Sequence, residues 1–428
     1  MKEYNDAIEF LYTSMPMFQR VGTSAYKPGL DTVLLLDEKF GNPHLKYKSI
    51  HIAGTNGKGS TAHTLAAILQ SAGYRVGLYT SPHLVDFRER IRVNGKMISY
   101  EAVVDFVNRY RAMSLDCHPS FFELTMTMAF EYFANENIDI AVVETGLGGR
   151  LDSTNIITPI LSIITNISFD HTAFLGDSLV SIAREKAGII KPTVPVVIGE
   201  AQEEVRGVFA QKAAEQNSPI FFAEDEQRFA TVDTLEEGLL YRGTQYGDIT
   251  GELMGDCQPK NAATILTALP ILAKCGIEIS SETVREGFAN VGTLTGLMGR
   301  WMTLSHQPHV VCDTGHNVGG WEYLSRRLHS VDGQLHMVIG FVNDKDVSHI
   351  LEMMPKTAKY YFTNASIERA MPATQLADIA TRCGLSGEIY TSVDCAYNTA
   401  INNASSTDTV FIGGSTFIVA DLLSSLQK

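Results

Sequence analysis

The chain has 428 residues, 45% hydrophobic and 19% charged. That is too long for one compact core at ~150 residues per domain and too apolar for a disordered chain. Lys and Arg total 34 against 48 Asp and Glu, a formal charge of −14. This excludes a general nucleic-acid binder, which must displace phosphate counterions with clustered cations, but leaves room for a local basic pocket that takes a small anion.

The first third alternates strand and helix signals. Residues 49–53 (SIHIA) form a β-rich run ending in Gly54-Thr55-Asn56-Gly57-Lys58-Gly59-Ser60, and a helix follows with Leu65, Ile68 and Leu69 on one face and Gly73 as its stop. Residues 75–79 read as the next strand, and 91–98 as a hairpin turned at Asn94-Gly95, since both residues tolerate positive φ. Helices are predicted over about 100–113 and 120–136, then apolar strands at 138–143, 159–165 and 194–198. Strands without polar alternation, separated by helices, predict a parallel sheet covered on both faces. Residues 226–256 are polar and alternating, which predicts antiparallel hairpins at that sheet's edge; helices return at 258–274 and 280–290. The glycine-rich stretch 292–299 is the candidate linker. Beyond it HVVCD, QLHMVIG, KYYF, GEIY and TVFIGG, separated by helical stretches, predict a smaller Rossmann-like α/β domain. The expected division is therefore 1–296 and 297–428.

The six cysteines form no CxxC pair and no zinc spacing, and read as buried or incidental thiols of a reducing compartment. The opening MKEYNDAIEF lacks a signal peptide's apolar stretch, and no apolar run approaches the ~20 residues that span a bilayer. A cytoplasmic protein without a membrane or nucleic-acid partner is expected.

The loop 54–60 carries the first chemistry. Its glycines let backbone N–H groups approach phosphate oxygens, and the helix that follows favours negative charge at its start. Lys58 would reach the β/γ phosphates, and Ser60 or Thr61 could meet a metal ion. The strict phosphate-loop pattern asks for Gly and Ser/Thr where this chain has Ile52 and Gly59, so the match is a variant. An ordinary glycine-rich turn that happens to hold a lysine is the bland alternative. Ser81, Glu144 and His171 each follow or end a predicted strand, placing them at the carboxyl edge of the sheet, where open α/β folds bind ligands. Three such donors could hold Mg²⁺. Imidazole is an unusual ligand for that ion, so a histidine held by its neighbours' hydrogen bonds is the competing reading. Lys186, in a helical pattern, would ordinarily be a solvated surface charge. Phe121 and Phe122 could stack on a flat ring, although adjacent aromatics before a helix are more often core.

GTNGKGS together with Thr80-Ser81-Pro82-His83-Leu84, the run 144–155 (ETGLGGRLDSTN), Asp170-His171-Thr172, Glu185-Lys186-Ala187-Gly188-Ile189 and Asp313-Thr314-Gly315-His316-Asn317 resembles the Mur ligase superfamily, in its folylpolyglutamate synthase and dihydrofolate synthase branch. The motifs occur in the family's order across almost the whole chain. The resemblance implies an N-terminal P-loop ATPase domain and a C-terminal ligase domain. It implies ATP as co-substrate at Thr55, Asn56, Gly57, Lys58, Gly59 and Ser60, with Asn261 at the adenine, Arg300 at phosphate and Asp313 at the ribose. One or two Mg²⁺ ions fall to Ser81, Glu144 and His171, and a carbamylated Lys186 would serve a second metal; Lys58, Lys186 and His171 are the implied catalytic groups. The pterin or folate would meet Gly29, Leu30, Asp31, Pro82, Phe121, Phe122, Glu123, Leu151 and Asp152. Incoming glutamate would meet His316 and Ser415, although Ser415 by itself reads as a helix N-cap, and Arg300 by itself as a surface ion pair. Ser153 stands where the family often has alanine, which leaves the balance of its two activities open.

The implied reaction joins glutamate to dihydropteroate, to folates, or to both, by way of an acyl phosphate, with the Gly-rich linker as a hinge and a monomer as the working unit. Polyglutamylation alone, or another Mur-type amino-acid ligase, is the alternative. A cell-wall ligase would want a further N-terminal domain, for which a phosphate loop beginning near residue 54 leaves no room. A GTPase would want an NKxD run, and none occurs. A folate-binding protein without catalysis is the third rival.

Overall fold

In this computed structural model the described residues are 1–15, 29–343 and 345–427. The strands of the first part are β1 (Lys48–Ala53), β2 (Val76–Tyr79), β3 (Ile91–Val93), β4 (Lys96–Met97), β5 (Ile140–Glu144), β6 (Leu161–Ile164), β7 (Val196–Ile198) and β8 (Ile220–Phe222). They form one sheet in the order β4-β3-β2-β5-β1-β6-β7-β8. Pairing is parallel from β2 to β8 and antiparallel in the β2-β3-β4 corner. That hairpin turns at Asn94 and Gly95, both at positive φ, as the dipeptide predicts.

Strand alternation divides the interior into layers. Ile50, Ile52, Ile140, Val142, Leu161 and Ile163 point to one face, where they pack on Leu65, Ile68 and Leu69 of helix α1 (Lys58–Ser71). Full burial of each such side chain is worth about 1.5–3 kcal/mol. On the opposite face Tyr79, Ala141 and Val143 meet Phe121, Leu124 and Phe130 of α2 (Phe121–Asn135). Ala53, Ile164, Val196 and Ile198 meet Ile182 and Ala183 of α3 (Leu179–Ala187). Both faces are thus covered, and the run 54–60, Ser81, Glu144 and His171 gather at one edge, where β1, β2, β5 and β6 end.

Residues 226–256 depart from expectation. Instead of joining the edge of the large sheet, β9 (Thr231–Leu235), β10 (Gly238–Thr244) and β11 (Gly247–Gly251) make a separate antiparallel sheet in the order β11-β10-β9. Leu239, Tyr241 and Ile249 on its inner face join the α1 core beside Phe288, so the polar alternation reports a cover laid on helices. The large sheet ends instead in β4 on one side and in β8, which follows helix Glu203–Glu215, on the other.

Helices α4 (Gln258–Lys274) and α5 (Ser281–Ala289) pack against α1, and α6 (Val291–Thr295) occupies the first half of the glycine-rich linker. Gly296, at φ 71, ends that helix. The second sheet then runs β12-β13-β17-β14-β15-β16, with β12 (Met302–His306), β13 (His309–Cys312), β14 (Leu335–Ile339), β15 (Lys359–Phe362), β16 (Gly387–Ile389) and β17 (Thr409–Gly413). All its pairings are parallel except that of β12 with β13, and β12 was not anticipated from the sequence. Helix α7 (Val318–His329) lies on one face and α8 (Thr416–Leu426) on the other. All six cysteines are free thiols. Among the described residues no helix is long and apolar enough to cross a membrane.

Candidate active site

The loop after β1 is held by the end of β6. Thr55 N–H donates to Asn166 O at 3.0 Å, Asn56 N–H to Asn166 Oδ1 at 2.8 Å, and Thr165 Oγ1 donates to Asn56 O at 2.6 Å. Gly57, at φ 83, caps α1, and Asn261 of α4 sits against its Cα where a side chain would go. A non-glycine residue there would need a left-handed backbone costing ~1–2 kcal/mol as well as that space. Lys58 lies back over the loop, donating to Gly54 O and Thr55 O, both at 3.1 Å.

Around this loop a cavity of about 280 Å³ opens between the two sheets' carboxyl ends. Its walls include every residue from Thr55 to Ser60, with Ser81, Pro82, Glu144, His171 and Lys186 from the first part and Arg300, Asp313 and His316 from the second. Asn261 lines it as well. The structure therefore gathers the nucleotide- and metal-directed candidates in one place.

Glu144 is buried at the end of β5, and its Oε2 accepts the Ser81 N–H at 3.0 Å. Burial pushes its carboxyl pKa up, against the opposing pull of Lys58. His171 has φ 50, and its N–H donates to Asp170 Oδ1 at 2.8 Å. Burial lowers the imidazole pKa to about 3 despite Asp170, which keeps the ring neutral. Among the described residues no three His, Cys, Asp or Glu side chains converge on one metal point; the donor set is one carboxylate, one hydroxyl and one neutral imidazole. Such a sparse set fits Mg²⁺, which keeps waters and takes one or two protein carboxylates plus substrate phosphates.

Lys186 is a correction to the surface reading: it is 3% exposed and donates to Gly54 O at 2.8 Å. Burial, with the Lys58 cation second, lowers its pKa to about 7. An amine so perturbed is nucleophilic near neutrality.

In the second part, Asp313 follows β13 and spends both oxygens on backbone: Oδ2 accepts from Trp301 N–H and Oδ1 from Gly315 N–H, each at 2.7 Å. Arg300 contacts Thr314 and the Gly299 carbonyl, so it is no surface ion pair. His316 Nε2 lies 3.4 Å from Asp170 Oδ2. Ser415, 2% exposed, caps α8 by accepting the Ile418 N–H at 3.2 Å; its neighbour Thr416 reaches the cavity instead.

Most pterin-directed candidates do not line this cavity; of them only Pro82 does. Gly29 and Leu30 precede the helix Asp31–Lys39, and residues 16–28 next to them lie outside the described chain. Phe121 is buried in the α2 core, and Phe122 packs on Gly146 and Tyr79. Glu123 takes part in a capping box with Ser120. Asp152 is buried, accepting from Leu147 N–H at 2.7 Å and Thr154 N–H at 3.0 Å, and Leu151 precedes it half-buried.

Sequence reasoning missed the contacts that join the two parts. Asn56 Nδ2 donates to Asn317 Oδ1 and Asn317 Nδ2 to Asn56 Oδ1, both at 3.0 Å. Asp170 receives Asn317 Nδ2 at 2.9 Å and pairs with Lys345. Burial would raise the Asp170 pKa, but the His316 hydrogen bond and the Lys345 charge hold it well below the usual carboxylate range. Tyr323 donates to Glu200 at 2.7 Å. Asn56, Asp170 and Asn317 stand within the motifs quoted above, whereas Lys345, beyond β14, belongs to none of them.

A phosphate loop at the carboxyl edge of one parallel sheet, facing a second α/β unit across a charged cavity, defines a two-lobed nucleotide-dependent enzyme. Residues 52–269 match the Mur ligase middle domain and 299–416 the Mur ligase glutamate ligase domain. The chain is 33% identical over 417 residues to the dihydrofolate synthase/folylpolyglutamate synthase of Bacillus subtilis, covering 94% of this chain and 95% of that one. It is 31% identical over 440 residues to a Haloferax volcanii relative named "Probable bifunctional folylpolyglutamate synthase/dihydropteroate synthase", covering 98% of this chain and spanning half, 50%, of that longer one. Escherichia coli FolC in complex with DHPP and ADP superposes with a TM-score of 0.85 at 30% identity over 99% of this chain and 97% of that one. A bifunctional folylpolyglutamate synthase/dihydrofolate synthase with Mn, AMPPNP and L-glutamate bound gives 0.82 at 30% identity over 99% and 98%. The chain belongs to the Mur ligase family, in its folylpolyglutamate synthase/dihydrofolate synthase branch.

Proposed function

We propose that this chain is an ATP-dependent amide ligase that adds L-glutamate to dihydropteroate and to folates, with residues 1–296 binding nucleotide and pterin and 297–428 binding glutamate. The observation that carries the reading is a single cavity in which the phosphate loop, Glu144 and His171 from one lobe face Arg300 and His316 from the other.

A carboxylate is a poor electrophile with a poor leaving group, so the γ-phosphoryl of ATP is first transferred to the acceptor's carboxylate oxygen, forming an acyl phosphate and ADP. Lys58, leaving the Gly54 and Thr55 carbonyls, and Arg300 stabilise the charge on the phosphoryl oxygens as it moves. A divalent cation at Ser81, Glu144 and His171 supplies further charge neutralisation when bound. The neutral amine of glutamate then attacks the acyl carbon, its nitrogen gives up a proton to solvent, and phosphate leaves with the bonding pair to give the amide. The anhydride hydrolyses readily in water, so the lobes must exclude it; the Asn56–Asn317 pair and the contacts to Asp170 hold them together over the site. Lys186, as a neutral amine, is the group to take up CO₂, losing a proton to become a carbamate. That anion would sit beside Lys58 and could serve a second metal.

The reading is tested by incubating the protein with ATP, Mg²⁺ and labelled glutamate, offering dihydropteroate and tetrahydrofolate separately. Incorporation into both is expected, and Lys58→Ala should lower it at least ~10²–10³-fold with circular dichroism unchanged. ATP hydrolysis without amide formation would overturn the assignment.

A further inference from the structure

Among the described residues five Lys and Arg side chains line the cavity, and four are accounted for. Lys58 and Lys186 rest on the Gly54 carbonyl. Arg300 lies against Gly59 at the phosphate loop. Arg327 stands 4.5 Å over the Trp301 ring and 3.9 Å from Asp256. Arg92 is left.

Arg92 is 7% exposed, yet it forms no ion pair within 4 Å among the described residues. Nη1 donates to the neutral Gly95 carbonyl at 2.9 Å, and the buried Nε has no partner. The nearby carboxylates are spent: Glu89 accepts three backbone N–H groups, from Leu84, Val85 and Asp86, and Asp86 is paired with Arg88 at 2.7 Å. A buried guanidinium with an unsatisfied donor is costly unless a ligand completes it. Its place is also specific. Gly296 gives it room, since a Cβ there would lie 2.8 Å from Cζ and Nη1.

Arg92 stands opposite Leu78 in the β2–β3 ladder, so it shares the α1 face of the sheet with that residue. Phe121 and Tyr79 are in the core on the other face. The linker end of the cavity, with His63 behind it, is therefore distinct from the aromatic face. Burial, then Arg92 and Arg300, hold His63 at a pKa of about 3, so the imidazole adds no charge there. Phosphate oxygens have the loop, Lys58 and Arg300. The unassigned anions of the reaction are carboxylates that do not react, and the planar guanidinium fork matches a carboxylate.

We propose that Arg92 binds an unreactive carboxylate of a glutamyl substrate at the linker end of the cavity. This rests on the ligase reading above. The carboxylate comes from incoming glutamate or from the terminal glutamate of a folate acceptor. Dihydropteroate separates the two, because its only carboxylate is the reacting one.

Steady-state kinetics of Arg92→Gln and Arg92→Lys, varying ATP, glutamate and each acceptor in turn, decide the matter. Loss of a charge-assisted contact should raise the affected KM about 10- to 100-fold. Arg92→Lys should recover part of it, and the KM for ATP should stay the same. A rise for glutamate with both acceptors assigns the incoming substrate. A rise for tetrahydrofolate but not dihydropteroate assigns the tail. If all KM values hold, or only that for ATP rises, the subsite is wrong while the ligase stands. A wild-type protein without glutamate-dependent turnover takes both down. Should Arg92→Gln not bind ATP, having failed to fold, the Lys variant decides by the same criteria.

Discussion

Lys186 shows how much one residue's surroundings change its chemistry. An amine with a pKa of about 7 is half neutral at pH 7, whereas an unperturbed lysine, near 10.4, is almost wholly charged. Only the neutral form adds CO₂, so its availability falls about tenfold per pH unit below 7 and levels off above. Protein depleted of CO₂ should therefore lose turnover and regain it on adding bicarbonate equilibrated at one fixed CO₂ pressure, faster at pH 8 than at pH 6. Lys186→Met should be inactive and indifferent to bicarbonate; equal recovery rates at both pH values would contradict the assignment. The helical pattern around Lys186 was legible in the sequence, but its burial was not, because the cover comes from the Gly54 loop 132 positions away. Glu123, Asp152 and Ser415 teach the complementary lesson. Each has the right chemistry for a ligand, yet each caps local backbone, and a residue type alone does not reveal which acceptors are already engaged.

At the scale of elements, the strand-loop-helix unit was readable because each constraint is local: an apolar run, glycines, then a helical period. The Asn94-Gly95 hairpin was readable for the same reason. The three-stranded cover and β12 were not, since polar alternation says that one face is wet but not which layer lies under the other. The unit's weak point is the contact of α1 with α4. Gly57→Ala adds a Cβ against Asn261 and forces a left-handed alanine, so a loss of about 1–2 kcal/mol in urea unfolding is expected. Binding of an ATP analogue should weaken at least about tenfold, because the loop N–H groups move with Gly57. Unchanged calorimetric affinity would show that the loop adapts.

Across the whole molecule, buried histidines set the acid limit. His51 bonds Thr154 at 2.8 Å and His63 bonds Thr295 at 2.7 Å. Burial holds both at a pKa of about 3, against ~6.5 unfolded. Between those values the unfolded chain binds protons that the folded chain refuses. Stability is therefore present above pH 6.5 and is lost as pH falls toward 3, by up to about 1.4 kcal/mol per pH unit for each group. Urea midpoints measured from pH 7 to 4 should show this slope, and His51→Asn should make it shallower; a slope that does not change would place the proton uptake elsewhere.

The reciprocal amide pair between Asn56 and Asn317 has a consequence for heating. The catalytic groups are divided between lobes with their own main cores, and among the described residues the seam adds to its polar pairs only a few apolar side chains, Leu84 and Val85 against the Val310 and Val419 cluster and Met254 against the Trp301 cluster. Thermal inactivation should thus set in several degrees before the calorimetric transition and reverse on cooling, so that the enzyme's operating ceiling is a property of its seam and not of either interior.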